Sequence, residues 1–244
     1  MDNSRVAVVT GGARGIGLAI VTRLIKDGFR VAALDINDRA IEKETAAAGT
    51  SDDVRFLSVP VTDHDAMQAV ATELMDGWGR VDALVNNAGV NRPGTILTQS
   101  VEEFDAVIEV NLKGAFVASS VFAPRIAEQG GAIVSIGSTA ASGVDGSPAY
   151  SASKAGLIGL TRTMATELGH AGVRVNLVAP GITLTGWVSR NVDAKRMDKM
   201  KQAAPLGRAA QPEDIASVVA FLCSDDARHV TGQVISASGG SWMP

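Results

Sequence analysis

The chain has 244 residues, an apolar fraction of 46%, a charged fraction of 20% and a formal net charge of −4. Those values belong to an ordinary globular protein and exclude wholesale disorder. A mildly acidic chain with 4% aromatic residues has neither the basic stripe nor the stacking platform for nucleic acid, and none is expected as a partner. Cys223 is the sole cysteine, which excludes an intrachain disulfide and a Cys-rich zinc site. His64, His170 and His229 lie far apart without ligand spacing, so no metal is expected. No apolar run reaches the roughly 18 residues of a membrane helix. Met1-Asp2-Asn3-Ser4-Arg5 lacks the flanks of a signal peptide, so a cytoplasmic protein with no membrane partner is expected.

Short apolar runs alternate with segments of helical period. Val6 to Val9 reads as a buried strand, followed by glycines and a helix from about Gly15 to Lys26. Arg30 to Leu34 is the second strand, closed by Asp35, with a polar helix over about Asp38 to Ala48. Val54 to Val59 is the third strand. Asp63 is a candidate N-cap for a helix through Met75, and Val81 to Val85 is the fourth strand. Ser100 and Glu103 have capping-box spacing and open a long helix. Ala132 to Ile136 is the fifth strand, followed by a helix from about Tyr150 to Gly169. Val173 to Val178 is the sixth strand, Pro212 opens a further helix, and Gln233 to Ser236 is the last strand.

The strands are apolar throughout rather than alternating, which marks burial on both faces of a parallel sheet. The strand–helix repetition predicts a single-domain α/β protein, a Rossmann-type doubly wound parallel β-sheet flanked by helices over 1–244. The polar stretch 182–211 reads as a substrate lid.

The first turn, Thr10-Gly11-Gly12-Ala13-Arg14-Gly15-Ile16-Gly17, lies between a strand and an amphipathic helix. Glycines at 11, 15 and 17 suit a tight turn, close approach of backbone to a pyrophosphate, and close helix–strand packing. The helix N-terminus adds free N–H groups and partial positive charge. Asp35, at the tip of the second strand, suits the ribose hydroxyls of NAD and repels the extra phosphate of NADP. Arg14 is a cation that could attract that phosphate. The carboxylate outweighs it, so NAD is favoured over NADP.

Further motifs follow in order. They are Asn86-Asn87-Ala88-Gly89, Asn111 in Asn-Leu-Lys-Gly, Ser138, Tyr150-Ser-Ala-Ser-Lys154, Pro180-Gly181 and Pro212-Glu-Asp-Ile-Ala216. Alone, each is what caps, turns and helix faces produce; together, in this order, they are specific. With them the chain resembles the short-chain dehydrogenase/reductase family over about residues 5 to 242, most of all its 3-oxoacyl-acyl-carrier-protein reductase type and their alcohol dehydrogenase relatives. The resemblance implies an NAD(P)-dependent oxidoreductase. Its catalytic residues would be Ser138, Tyr150, Lys154 and Asn111, the last holding a relay water. It implies a cofactor set of Gly11, Arg14, Gly15, Ile16, Gly17, Asp35, Ile36, Val61, Asn87, Ala88, Gly89, Pro180, Gly181, Thr183 and Thr185, together with Tyr150 and Lys154. Asn87 would sit near the adenosine ribose.

The residues support that chemistry. Tyr150 and Lys154 are four apart on one helix face. An ammonium beside a phenol stabilises the phenolate and lowers its pKa from about 10 towards neutrality. Ser138 at a strand end can hold an oxygen on which negative charge develops. The expected reaction interconverts a secondary alcohol and a ketone. Alternatives are reduction of a 3-oxoacyl thioester with NADPH, and a catalytically silent cofactor-binding regulator.

The chain departs from the family pattern in several places. Pro60 stands where a polar residue commonly meets the adenine, leaving only the Val61 backbone, and the Ser138–Tyr150 interval is one residue shorter than usual. Lid residues Val144, Leu184, Trp187, Val188 and Met197 lean the substrate site apolar. A homotetramer or homodimer is expected, with Phe116, Leu157 and Leu160 on the outer helix faces.

Overall fold

A computed structural model describes residues 4–49 and 51–243; the side chain of Trp187, read above as a lid residue, lies outside what is described, as do the side chains at 191 and 196. Seven strands form one parallel sheet: β1 (Val6–Thr10), β2 (Arg30–Asp35), β3 (Val54–Ser58), β4 (Ala83–Asn86), β5 (Gly131–Ile136), β6 (Val173–Pro180) and β7 (Val234–Ala237). Their order is β3-β2-β1-β4-β5-β6-β7. The order reverses between β1 and β4. In doubly wound sheets the crevice beyond the carboxyl ends at that point takes the ligand.

The uniformly apolar strands are explained by a core on each face. In β1, Val6 and Val8 enter one cluster with Leu84, Phe122, Ile126 and Ile133, while Ala7 and Val9 enter the other with Ile20, Leu24, Val85 and Ile215. The first layer is covered by α3 (His64–Trp78), α5 (Gly114–Ala127) and α6 (Pro148–Leu168), and the second by α1 (Gly15–Lys26) and α9 (Pro212–Cys223). The polar helix α2 (Asp38–Ala48) buries no residue. The predicted caps are present. Asp63 accepts from the Ala66 amide at 3.0 Å, and Ser100 and Glu103 form a reciprocal box. β4 begins two residues later than its apolar run; just before it the Asp82 side chain accepts from the Val6 amide at 2.7 Å.

Three expectations need correction. The helix opened by Ser100 is α4 (Val101–Ile108), then a π-helical turn over Glu109–Lys113, then α5. The whole stretch, Val101–Ala127, is long and apolar enough to span a bilayer by length and composition, contrary to the reading of the apolar runs. Its most apolar window is 56% buried in the fold, as a core helix would be. Leu157 is not on an outer face: it is 1% exposed and packs with Ala115, Leu177 and Ala179. Leu160 is partly buried against the core. Phe116, at 57% exposed, does face outwards.

The segment 182–211 is not an irregular loop. It forms α7 (Gly186–Asn191) and α8 (Ala194–Gln202), and its two ends are joined to each other by a bridge between Thr183 and Ala210.

Candidate active site

The glycine turn after β1 is shaped by close approaches. A Cβ on Gly17 would collide with the Gly11 carbonyl oxygen, and Gly11, at φ 64°, has no room for one against Ala88. Gly15 adopts φ 56°, and a Cβ there would meet only Thr185, at 3.7 Å. The loop is thus folded tightly on itself yet open on the Gly15 side. Such a cradle fits a dinucleotide pyrophosphate at the start of α1. Arg14 is the N-cap of α1 and is exposed; Ile16 packs against the core.

Two polar residues hold this turn. The Asn87 amide donates to the carbonyls of Thr10 at 2.9 Å and Gly11 at 3.0 Å. Both of its N–H groups are therefore engaged by the loop, which the side chain clamps. The Thr10 hydroxyl accepts from the amides of Asn87 and Ala88, each at 3.0 Å, joining the ends of β1 and β4.

Asp35 ends β2 and is 5% exposed. Its carboxylate accepts from the Ala13 amide at 3.2 Å, Ile36 at 2.8 Å and Asn37 at 3.1 Å. A carboxylate offers about four lone-pair directions, so one acceptor direction is left. Asp35, Ile36, Arg14, Gly11, Val61, Ala88 and Gly89 line a cavity of about 160 Å³ beside the turn. A larger groove of about 650 Å³ lies at the opposite ends of the strands, around Arg5, Arg174 and Arg228.

Pro180 closes β6. A Cβ on Gly181 would sit 3.0 Å from Ser238 Cα, which accounts for the glycine. Thr183 is 5% exposed and donates to the Gly181 carbonyl at 3.2 Å. Thr185 caps α7 by accepting from the Val188 amide at 3.3 Å, with its methyl over Gly15. The start of 182–211 therefore lies beside the glycine turn.

Ser138, Tyr150, Lys154 and Asn111 converge at the ends of β4 and β5. Ser138 follows β5 in extended conformation, accepts from the Ala140 amide at 3.1 Å and lies near enough to the Tyr150 hydroxyl to lower its pKa. Lys154 is 3% exposed; its Nζ donates to the Ile136 carbonyl at 2.7 Å and lies 5.5 Å from the Tyr150 ring centroid. Burial lowers the Lys154 pKa to about 8. Burial also raises the Tyr150 hydroxyl above its ordinary value, and Ser138 draws it partly back. The dominant influence on Tyr150 here is desolvation, and Lys154 spends one of its three N–H donors on the Ile136 carbonyl.

Asn111 is 1% exposed and sits in the π-helical turn, a feature frequent at functional sites. Its Oδ1 accepts from the Val90 amide at 2.8 Å, and its Nδ2 donates to the Val90 carbonyl and the Ser153 hydroxyl, each at 3.0 Å. Ser153 in turn donates to the Tyr150 carbonyl at 2.8 Å. Both amide protons are engaged, so a relay water would have to use Oδ1 or the backbone. Gly89 leaves the space: a Cβ there would lie 3.3 Å from Asn111 Oδ1 and 3.7 Å from Lys154 Nζ.

The family model described as "Enoyl-(Acyl carrier protein) reductase" matches residues 11–241. The chain belongs to the short-chain dehydrogenase/reductase family. It is 39% identical to the 3-oxoacyl-acyl-carrier-protein reductase of Thermotoga maritima, over 97% of each chain. It is 37% identical to the enzyme of that name from Staphylococcus aureus over the full length of both. The solved structure of gox2181 superposes with a TM-score of 0.90 at 33% identity, covering 98% of this chain and 96% of that one. As a short-chain dehydrogenase/reductase, the protein is an NAD(P)-dependent oxidoreductase acting between a carbonyl and an alcohol.

One contact was missed from the sequence. The amide oxygen of Gln99 accepts from the Ala149 backbone N–H at 3.1 Å, next to Tyr150. No local pattern signals a partner so distant in the chain.

Proposed function

We propose that the protein interconverts a secondary alcohol and a ketone with NAD(H), using Tyr150 as the acid/base. The observation that carries this reading is the buried Lys154 ammonium, held on the Ile136 carbonyl 5.5 Å from the Tyr150 ring, with Ser138 beside the Tyr150 hydroxyl. When bound, the dinucleotide supplies or takes up the hydride. In reduction, Ser138 and Tyr150 hold the carbonyl oxygen and the Tyr150 hydroxyl gives it a proton as the carbon becomes tetrahedral; in oxidation the phenolate takes that proton back. Lys154 keeps positive charge near the phenolate, and Asn111 holds the Val90 and Ser153 segments around it. Asp35 supports NAD, because a second phosphate at that cavity would face a nearly buried carboxylate.

The names of the relatives favour a second reading, reduction of 3-oxoacyl thioesters with NADPH. The segment 182–211 would cover the substrate, through its position beside the glycine turn. Exposed Phe104 and Phe116 on α4 and α5 suit pairing with further copies in a homotetramer or homodimer.

The test is a panel of ketones, secondary alcohols and 3-oxoacyl thioesters assayed with NAD(H) and NADP(H) in parallel. Turnover of ketones or alcohols with at least tenfold preference for NAD(H) is expected. Thioester reduction with NADPH alone would select the second reading, and no turnover of any substrate would refute both.

A further inference from the structure

We propose that Gln99 is a positioning residue for Tyr150, capping the helix that carries the tyrosine from a loop about fifty positions earlier in the chain. The inference rests on Tyr150 being the acid/base.

α6 starts without a cap of its own. Ser147 is its N-cap, but the Ser147 side chain makes no capping bond, and its hydroxyl instead accepts from the Asn91 amide at 3.4 Å. Pro148 has no N–H, so the first free donor of the helix is the Ala149 amide. Gln99 Oε1 takes that donor at 3.1 Å. The other end of the same amide donates to the Arg92 carbonyl at 2.5 Å. The side chain is therefore fixed at both ends, and its orientation follows from the Ala149 donor.

The surroundings keep it there. Gln99 sits at the end of a turn in which its own amide donates to the Thr95 carbonyl at 2.9 Å. Gly94 faces it, and a Cβ on Gly94 would come within 3.1 Å of Gln99 Cβ. The Gly94 amide donates to the Gly146 carbonyl at 3.0 Å. Loop 91–99 is thus stitched to residues 146–149 through Asn91, Gly94 and Gln99, and Tyr150 is the next residue.

Tyr150 lies in the first turn of α6, where helices fray when a donor is left without a partner. Its hydroxyl must reach Ser138 while its ring stays beside Lys154. A cap that holds the first turn therefore sets the phenol's direction and its distance from the ammonium. Capping by a side chain contributes about 1 kcal/mol to helix stability. Small displacements at a reacting group can cost about 10²-fold in rate.

The experiment compares three enzymes, with Tyr150→Phe as the reference for the parent reading. Gln99→Leu fills the space and has no acceptor. Gln99→Glu keeps an acceptor at a helix N-terminus, where negative charge is favourable, and loses the donor to Arg92. For Gln99→Leu, kcat is expected to fall about 10-fold or more, KM for the dinucleotide to change less than about twofold, and the alkaline rise of the oxidation rate to move to higher pH. Gln99→Glu is expected to restore both kcat and that pH limb. Should the Leu variant not fold, Gln99→Ser, polar but too short to reach Ala149, takes its place.

A Leu variant with unaltered kcat overturns the proposal. So does one whose kcat falls with the pH limb unmoved, or a Glu variant as impaired as the Leu variant. If Tyr150→Phe retains wild-type turnover, the parent reading fails instead, which separates the two failures.

Discussion

The ammonium of Lys154 is anchored to the carbonyl of Ile136, 2.7 Å away, at the end of the strand that leads into Ser138. One strand end thus fixes two of the groups around Tyr150: the hydroxyl beside its oxygen, and the cation beside its ring. The strand supplies the rigidity that a loop would lack, and positioning within fractions of an ångström is what proton transfer at this site requires.

Removal of the phenolic oxygen tests the acid/base role. Tyr150→Phe is expected to lower kcat by about 10²–10⁴-fold, the usual contribution of a positioned general acid. Binding of NADH, followed by its fluorescence, is expected to change less than about threefold, since the glycine turn and Asp35 are untouched. Wild-type turnover in the variant would refute the assignment.

Lys154 makes stability depend on pH. Its pKa falls from 10.5 in the unfolded chain to about 8 in the fold, because burial penalises the charge. Below pH 8 both states carry the proton and the folded state bears the penalty. Between about 8 and 10.5 the unfolded state binds more protons, so this contribution to stability rises with pH, by on the order of 3 kcal/mol in all. Buried Cys223, raised to about 12, acts with the opposite sign above its ordinary value of 9.0. Lys154→Met isolates the first effect, because Cys223 is common to both proteins. Denaturant titrations from pH 7 to 10.5 are expected to show the variant's stability falling relative to wild type as pH rises. A constant difference would contradict a depressed lysine.

Asp35 tests cofactor choice. Asp35→Ala removes the charge at the ribose end of the cavity and frees the amides of Ala13, Ile36 and Asn37. KM for NAD is expected to rise about tenfold, and the kcat/KM ratio of NADP to NAD to rise by a larger factor. Equal kinetics with the two dinucleotides in the wild-type enzyme would remove the basis for an NAD preference.

The glycine turn separates two kinds of glycine. Gly17→Ala places a methyl against the Gly11 carbonyl, so loss of dinucleotide binding and a clear drop in Tm are expected. Gly15→Ala has space but keeps φ 56°, so its stability cost is expected to be about 1–2 kcal/mol. Differential scanning calorimetry with and without NADH reads both. A Gly17→Ala protein with wild-type Tm and binding would show that the turn tolerates a shift.

The sequence by itself determined the parallel sheet, the glycine turn, the acid closing β2 and the tyrosine–lysine pair. Strand burial, turn sterics and helix spacing are local properties, written in residues near one another in the chain. The folded chain adds that the Asn87 amide clamps the turn, that a π turn buries Asn111, that Leu157 packs inwards, and that Gln99 caps the tyrosine helix. Each of these depends on which distant donor or apolar surface meets a side chain, and spacing along one chain carries no record of that encounter.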